Sequence, residues 1–220
     1  MIHPLPGPVG RRSATLALAG VIAYVLVDVV LQLLPPHYNP ISAAESNLAV
    51  GPFGWVMNLN FLGRAASTGV AVVAIGTVGP ASRLRRAGLA LLLCGGACSA
   101  VLAFLPADVP ATGDLTVTDH TPIGIAHLAV ASTGFLAALA GVTALTVWLR
   151  GSGRPRAFPA AAALAVVAAT GLLTLGLATA FAPALLGLAE RVCLAGILGW
   201  TFSACAFIRF GRTRDRSLAR

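Results

Sequence analysis

The chain has 220 residues, of which 57% are hydrophobic and only 10% charged, far below the roughly 25% charged content of soluble domains. Several spans of about 20 residues would consume the whole length, so a soluble enzyme domain is excluded. The net charge of +8 comes from fifteen arginines and no lysine, clustered between apolar runs, which reads as a topology signal and excludes a nucleic-acid surface.

The fold class is all-α: a polytopic membrane bundle of six transmembrane helices. Residues 1–12 form an N-terminal cytoplasmic segment ending in Arg11 and Arg12. The first span, 13–34, is broken only by Asp28 and Gln32 and stops at Pro35 and Pro36. It exceeds the apolar region of a signal peptide and lacks a clean A-x-A end, so it is expected to stay in the mature protein.

The loop from His37 to about Gly54 carries Pro40, Glu45, Ser46, Asn47, Gly51 and Pro52, and suits a short helix or re-entrant turn at the interface. The second span is 55–78, with Trp55 at the level of an aromatic belt. Arg83, Arg85 and Arg86 precede the third, 87–105. A loop with Asp108, Asp114, Asp119 and His120 leads to the fourth, 123–149. Arg150, Arg154 and Arg156 follow; the fifth span is 158–181, the sixth 186–208. The spans make up a transmembrane domain of residues 13–210, and a basic tail, 211–220, ends the chain.

Arginines per connection run two, none, three, none, three, none and five. The positive-inside rule then places both termini in the cytoplasm. The all-arginine, Ala/Gly/Leu-rich composition points to a GC-rich bacterial source and to a multi-pass protein of the bacterial plasma membrane.

Two arginines stand outside that alternation, Arg64 and Arg191. Ionisable groups inside spans are costly and are functional candidates by default. At 1.5 Å per residue Asp28 lies about 9 Å deep from the extracytoplasmic side, Arg64 about 13 Å, His127 roughly 6 Å, and Glu190 with Arg191 roughly 7 Å. Four helices thus contribute to one polar layer. Asp28 is expected to pair with Arg64, and Glu45 or Glu190 with Arg191; Asn58 and Asn60 flank the approach, and the Glu45 loop covers it. Small residues at four-residue spacing, Gly95, Ser99 and Ala103 or Gly134 and Ala138, suit close helix packing.

The ligand-binding candidates are Arg64, Arg191, Glu190, Asn58, Asn60, Ser46, Trp55 and Asp108. His127, Asp28 and Glu45 are candidates for proton transfer. No metal is expected: His120 and His127 are seven apart and Asp108 and Asp119 could supply oxygen ligands, but a site needs three or four convergent ligands and no tight H-x-x-x-H or H-E-x-x-H spacing is present. No haem or other cofactor is expected either, since only His127 is clearly intramembrane. Cys94, Cys98, Cys193 and Cys205 lie in apolar runs and read as small hydrophobes.

The segment S-N-L-A-V-G-P-F-G-W-V-M-N-L-N-F, the L-P-A-D at Leu105 to Asp108, T-P-I-G-I-A-H at Thr121 to His127, and G-L-A-E-R-V at Gly187 to Val192 ending in Trp200 together resemble the bacterial integral membrane family catalogued as domain of unknown function 998. The resemblance covers nearly the whole chain. It implies a six-helix bacterial membrane protein of unassigned biochemical role, with Glu45 or Ser46, Asn58, Asp108, His127 and Arg191 at family positions and Ala107 where a threonine would be usual.

Three functions follow in order. The first is binding of a lipid or amphipathic small molecule in a polar pocket open to the extracytoplasmic face, with membrane lipids and an anionic amphipathic ligand as partners and no nucleic acid. The second is an accessory or assembly protein whose polar layer is structural. The third is a small transporter, ranked last because the inner halves of the spans carry almost no polar side chains beyond Ser, Thr and Cys. Whether the protein is an enzyme is left open, and the sequence carries no signal for an oligomeric state.

Overall fold

The computed structural model describes residues 7–34, 38–109, 120–152 and 157–211. The expected stop at Pro35 and Pro36, Asp114 and Asp119, Arg154 and Arg156, and all of the basic tail beyond Gly211 lie outside the described residues, as do the first six residues.

Among the described residues six helices are long and apolar enough to cross a membrane: α1 Pro8–Gln32, α2 Gly54–Gly76, α3 Arg83–Leu102, α4 Pro122–Gly151, α5 Phe158–Phe181 and α6 Leu186–Phe210. Their outer surface carries exposed Leu16, Leu26, Leu59, Leu136, Val166 and Leu173, an apolar surface of the kind lipid covers.

Helix starts follow local chemistry. α1 begins five residues before the expected span because Pro8 takes a first-turn position, where its missing N–H costs nothing and its fixed φ suits the helix. Arg11 and Arg12 are therefore helical. Ser82 caps α3 by accepting the Arg85 amide, and Thr121 caps α4 by accepting the Gly124 amide, each at 3.0 Å. Both satisfy donors that a helix start leaves open.

Each helix packs on the next in sequence, and α6 packs on α1 to close the ring, also touching α2 and α4. α6 is the most enclosed, with 44% of its most apolar window buried against 22–33% for the other five. Arg209 near the end of α6 donates to Thr15 Oγ1 near the start of α1 at 2.9 Å, so both ends of the bundle meet on one side, which also carries Arg83, Arg85, Arg86 and Arg150. We call this the arginine-bearing end.

The core divides accordingly. A larger cluster around Ala17, Ala74, Leu92, Leu145, Trp148 and Trp200 fills the arginine-bearing half; a smaller one around Tyr24, Leu48, Met57, Phe61 and Leu102 fills the other. Between α3 and α4, a Cβ on Gly95 would press on Ala138 and the Gly134 carbonyl, so the small residues there set the helix separation.

The loop between α1 and α2 folds inward over the second cluster. Its centre is a short 3-10 turn, Glu45–Ala49, in which Glu45 and Leu48 are buried.

Candidate functional site

Glu45 opens the 3-10 turn and is 4% exposed. Its carboxylate accepts the Tyr24 hydroxyl, with both oxygens at 2.7 Å, and its backbone N–H donates to Glu190 Oε2 at 2.7 Å. The loop thus joins α1 through a side chain and α6 through its backbone. Arg64 Nη1 lies 3.8 Å from Glu45 Oε2 and donates to the Tyr24 oxygen at 3.0 Å. Arg64 Nε donates to Ser99 Oγ at 2.8 Å, and Ser99 donates in turn to the Phe61 carbonyl at 2.9 Å. The guanidinium also sits over the Tyr24 and Phe61 rings, 5.1 and 5.5 Å from their centroids, within the range of a cation–π contact.

Arg191 is one residue along α6 from Glu190 and faces the same loop. Its Nη1 donates to the carbonyls of Pro40, Ala43 and Gly187 at 3.0, 3.2 and 3.1 Å, and Nη2 to the Tyr38 oxygen at 2.7 Å. The loop backbone also accepts here: Leu188 N–H reaches the Ile41 carbonyl at 2.9 Å. Gly187 permits this approach, since a Cβ there would overlap the Ala43 and Pro40 carbonyl oxygens.

The expected pairings change. Arg64 pairs with Glu45 and not with Asp28, and Arg191 takes carbonyls and a tyrosine hydroxyl in place of a carboxylate. Asp28 lies one turn beyond Tyr24, nearer the helix end, where its Oδ2 accepts Gln32 Nε2 at 2.6 Å; its Oδ1 is buried without a hydrogen bond among the described residues. Glu45 reaches Arg64 because the loop dips inward, a displacement that span depth alone does not capture.

Three carboxyl groups, Asp28, Glu45 and Glu190, and two guanidinium groups therefore gather at one end. On the loop, burial pushes the Glu45 carboxyl up to about 8; Glu190 and Asp28 add to the rise, while Arg64 and the Tyr24 hydroxyl oppose it. Burial also raises Tyr38, against the opposing pull of Arg191.

The remaining candidates are placed as follows. Asn60 is buried and donates to the Tyr24 carbonyl at 3.1 Å, tying α2 to α1. Asn58 and Ser46 are half-buried, and no hydrogen bond joins them to the cluster among the described residues. Trp55 is 64% exposed at the helix end.

His127 and Asp108 sit apart, at the junction of α3 and α4. His127 is buried and its Nδ1–H donates to the Leu105 carbonyl at 2.7 Å. Asp108 accepts the Thr121 amide at 2.9 Å and hydroxyl at 2.8 Å, which holds its carboxyl below the usual range. A Cβ on Gly124 would overlap that carboxylate. The L-P-A-D and T-P-I-G-I-A-H segments thus form a clasp that joins the end of α3 to the start of α4.

Tyr24, Tyr38 and Ser99 were missed as members of the cluster. Tyr24 stands four residues before Asp28, hence on the same helix face, which is the signal that could have found it. Ser99 looked like a small packing residue, and its hydroxyl became legible only once Arg64 was seen opposite.

A cavity of about 60 Å3 adjoins the cluster between α2, α3, α4 and α6. Arg64, Ser67, Thr68, Ser99 and Thr201 supply its polar wall, and Leu92, Phe135 and Ile197 much of its apolar wall. Among the described residues no three His, Cys, Asp or Glu side chains converge so as to hold a metal ion, and all four cysteines are free.

Six membrane-crossing helices with an ionisable cluster folded under a loop define a polytopic membrane protein. The model of a family described as protein of unknown function, DUF998, matches residues 18–206, and the chain belongs to that family. No curated protein and no solved structure matches it.

Proposed function

We propose that the chain is a bacterial plasma-membrane protein, both termini cytoplasmic, that binds a lipid or other anionic amphipathic molecule through Arg64 in a pocket reached from the extracytoplasmic face. The arginine-bearing end supports this orientation by the positive-inside rule.

The observation that carries the reading is the position of Arg64. It lines the cavity while its Nη2 makes no hydrogen bond among the described residues, and its ion-pair partner among those residues, Glu45, is 3.8 Å away. An anion that engaged the guanidinium through two parallel bonds would improve on that contact. Hydroxyls near Arg64 and apolar side chains beyond it match a molecule with a polar head and an apolar body. The loop that carries Glu45 is the cover. Glu45 and Asp28 remain the candidates for holding a proton when a further negative charge arrives, and Ser46, Trp55 and Asn58 line the approach.

The test is the lipid content of purified Arg64→Gln protein, by mass spectrometry in mild detergent. Loss of a species retained by the unmodified chain supports the reading; identical content in the folded variant sinks it.

A second reading, an accessory protein whose polar cluster only holds the bundle, draws on Arg191, whose two terminal nitrogens all bond to the protein itself. It expects the double variant Glu45→Gln with Arg64→Gln to recover the stability that either change alone removes.

A further inference from the structure

We propose that a second cavity, at the arginine-bearing end, holds an acyl chain of an anionic phospholipid drawn from the adjacent leaflet. The cavity measures about 160 Å3 and is walled by α2, α4, α5 and α6, with Ile75, Trp148, Ala160, Trp200, Ser203 and Phe207 among its lining. An apolar void of roughly 150 Å3 stays dry and admits a small apolar guest. This one has little to hold water: its indole N–H groups are already engaged, Trp148 with the Pro80 carbonyl at 3.2 Å and Trp200 with Thr146 Oγ1 at 2.8 Å.

The cavity opens sideways. Ala160 is exposed and Phe207 is 39% exposed, so the mouth lies on the lipid-facing surface of the bundle. An opening there is covered by a lipid tail, because the hydrocarbon layer offers nothing else at high concentration.

Charge then selects the head group. Arg150 follows the lining residue Leu149 and stacks over Phe158 at 6.0 Å, and Phe158 follows the lining residue Ala157. Arg85 lies over the Trp148 ring at 5.8 Å, but its Nη1 is taken up by the Gly76, Val78 and Gly79 carbonyls, so Arg150 is the head-group contact. Asp28, Glu45, Asp108 and Glu190, the described acids, all stand at the opposite end. A phosphodiester with net negative charge meets the Arg150 guanidinium with no competing carboxylate among the described residues, whereas a zwitterionic head group brings its own cation to it.

The tryptophans give the readout. Trp148 and Trp200 line the cavity, and Trp55→Phe removes the remaining one. The full chain with that change is reconstituted in phosphatidylcholine vesicles containing a fixed fraction of either phosphatidylglycerol or phosphatidylcholine with brominated acyl chains, and the quenching of tryptophan emission is compared. Quenching by the anionic lipid at least about twofold deeper is expected, with the difference removed by Arg150→Gln. Filling the cavity with Ala204→Phe, or its mouth with the milder Ala160→Phe if the first does not fold, abolishes quenching by both lipids. Equal quenching by the two lipids, no quenching by either, or unchanged quenching in the folded filled variant overturns the proposal.

Discussion

Arg64 and Arg191 look alike in sequence: each lies inside a helix near the loop-bearing end, and each lays its guanidinium over a tyrosine, at 5.1 Å for Tyr24 and 5.3 Å for Tyr38. Their partners differ. Arg191 bonds three backbone carbonyls and one hydroxyl, so it fastens the loop to α6 whatever the loop's side chains are. Arg64 bonds two hydroxyls, faces a loop carboxylate at 3.8 Å, and borders a cavity. A guanidinium whose terminal nitrogens are taken up by carbonyls and a hydroxyl is a fastener, even with its Nε buried without a hydrogen bond among the described residues, while one with a terminal nitrogen left open beside a space can take a ligand. Charge inside a span therefore does not by itself separate structure from function; the identity of the acceptors does.

The largest expected effect comes from cutting the fastener. Arg191→Ala leaves the Pro40 carbonyl without its donor and takes one donor from the Ala43 carbonyl and the guanidinium from the Tyr38 oxygen, while the Tyr38 hydroxyl still donates to the Ala43 and Ala44 carbonyls; the loss is about 3 kcal/mol by analogy with other broken buried polar networks. Amide exchange over residues 38–53 should rise well before the helices open. Gly187→Ala should do the same by pushing the loop away. If both variants leave loop exchange unchanged, Arg191 is not the fastener and the comparison fails.

Arg64→Gln is expected to cost less, on the order of 1–3 kcal/mol, since glutamine keeps one donor for Ser99 or Tyr24 while Glu45 loses its cation. Loop exchange should change little and bound lipid should disappear. The reverse pattern, a loosened loop with lipid intact, would merge the two arginines into one structural role.

Much of this architecture was legible from apolar run lengths and arginine spacing, because span length and helix rise are coupled by bilayer thickness. The fifth span agrees in both bounds, and the others shift by a few residues where caps decide: Pro8 starts α1 early, and Ser82 brings Arg83 into α3. The gathering of Asp28, Glu45, Arg64, Glu190 and Arg191 at one end followed from depth. Their pairing did not, because it depends on how far the loop dips and on helix rotation, to which residue depth is blind. His127 shared a depth with the cluster but its ring turns to Leu105. Tyr24 and Tyr38 carried no charge to draw notice, yet each supplies the hydroxyl on which an arginine rests.

A subtler effect should appear with pH. Glu45 has a folded-state value near 8 against an ordinary 4.5, so the docked loop favours its protonated form. Its contribution is full below about 4.5 and is lost as pH rises to about 8, where the native state must give up the proton that the open loop has already released. Loop exchange, corrected for its intrinsic pH dependence, should therefore quicken across that window. Glu45→Gln should flatten the response without loosening the loop at the acid end. A slope that persists in this variant would assign the proton to Asp28 or Glu190.

The smallest effect belongs to the clasp between α3 and α4, which separates the arginine cluster from polar groups that only share its end of the bundle. Asp108 accepts two bonds from Thr121, and its lowered value means that this contribution holds above the ordinary carboxyl range and fades as pH falls through it, opposite in sign to Glu45. Asp108→Asn keeps one oxygen acceptor but turns an N–H2 toward the Thr121 donors, so the amides of residues 121–124 should exchange faster. Residues 38–53 should be unaffected, because no hydrogen bond among the described residues links the clasp to Glu45, Arg64 or Arg191. Faster exchange in the loop as well would show that His127 and Asp108 belong to the same cooperative unit as the arginines, and the cluster would then extend to all the helices that sequence depth placed in it.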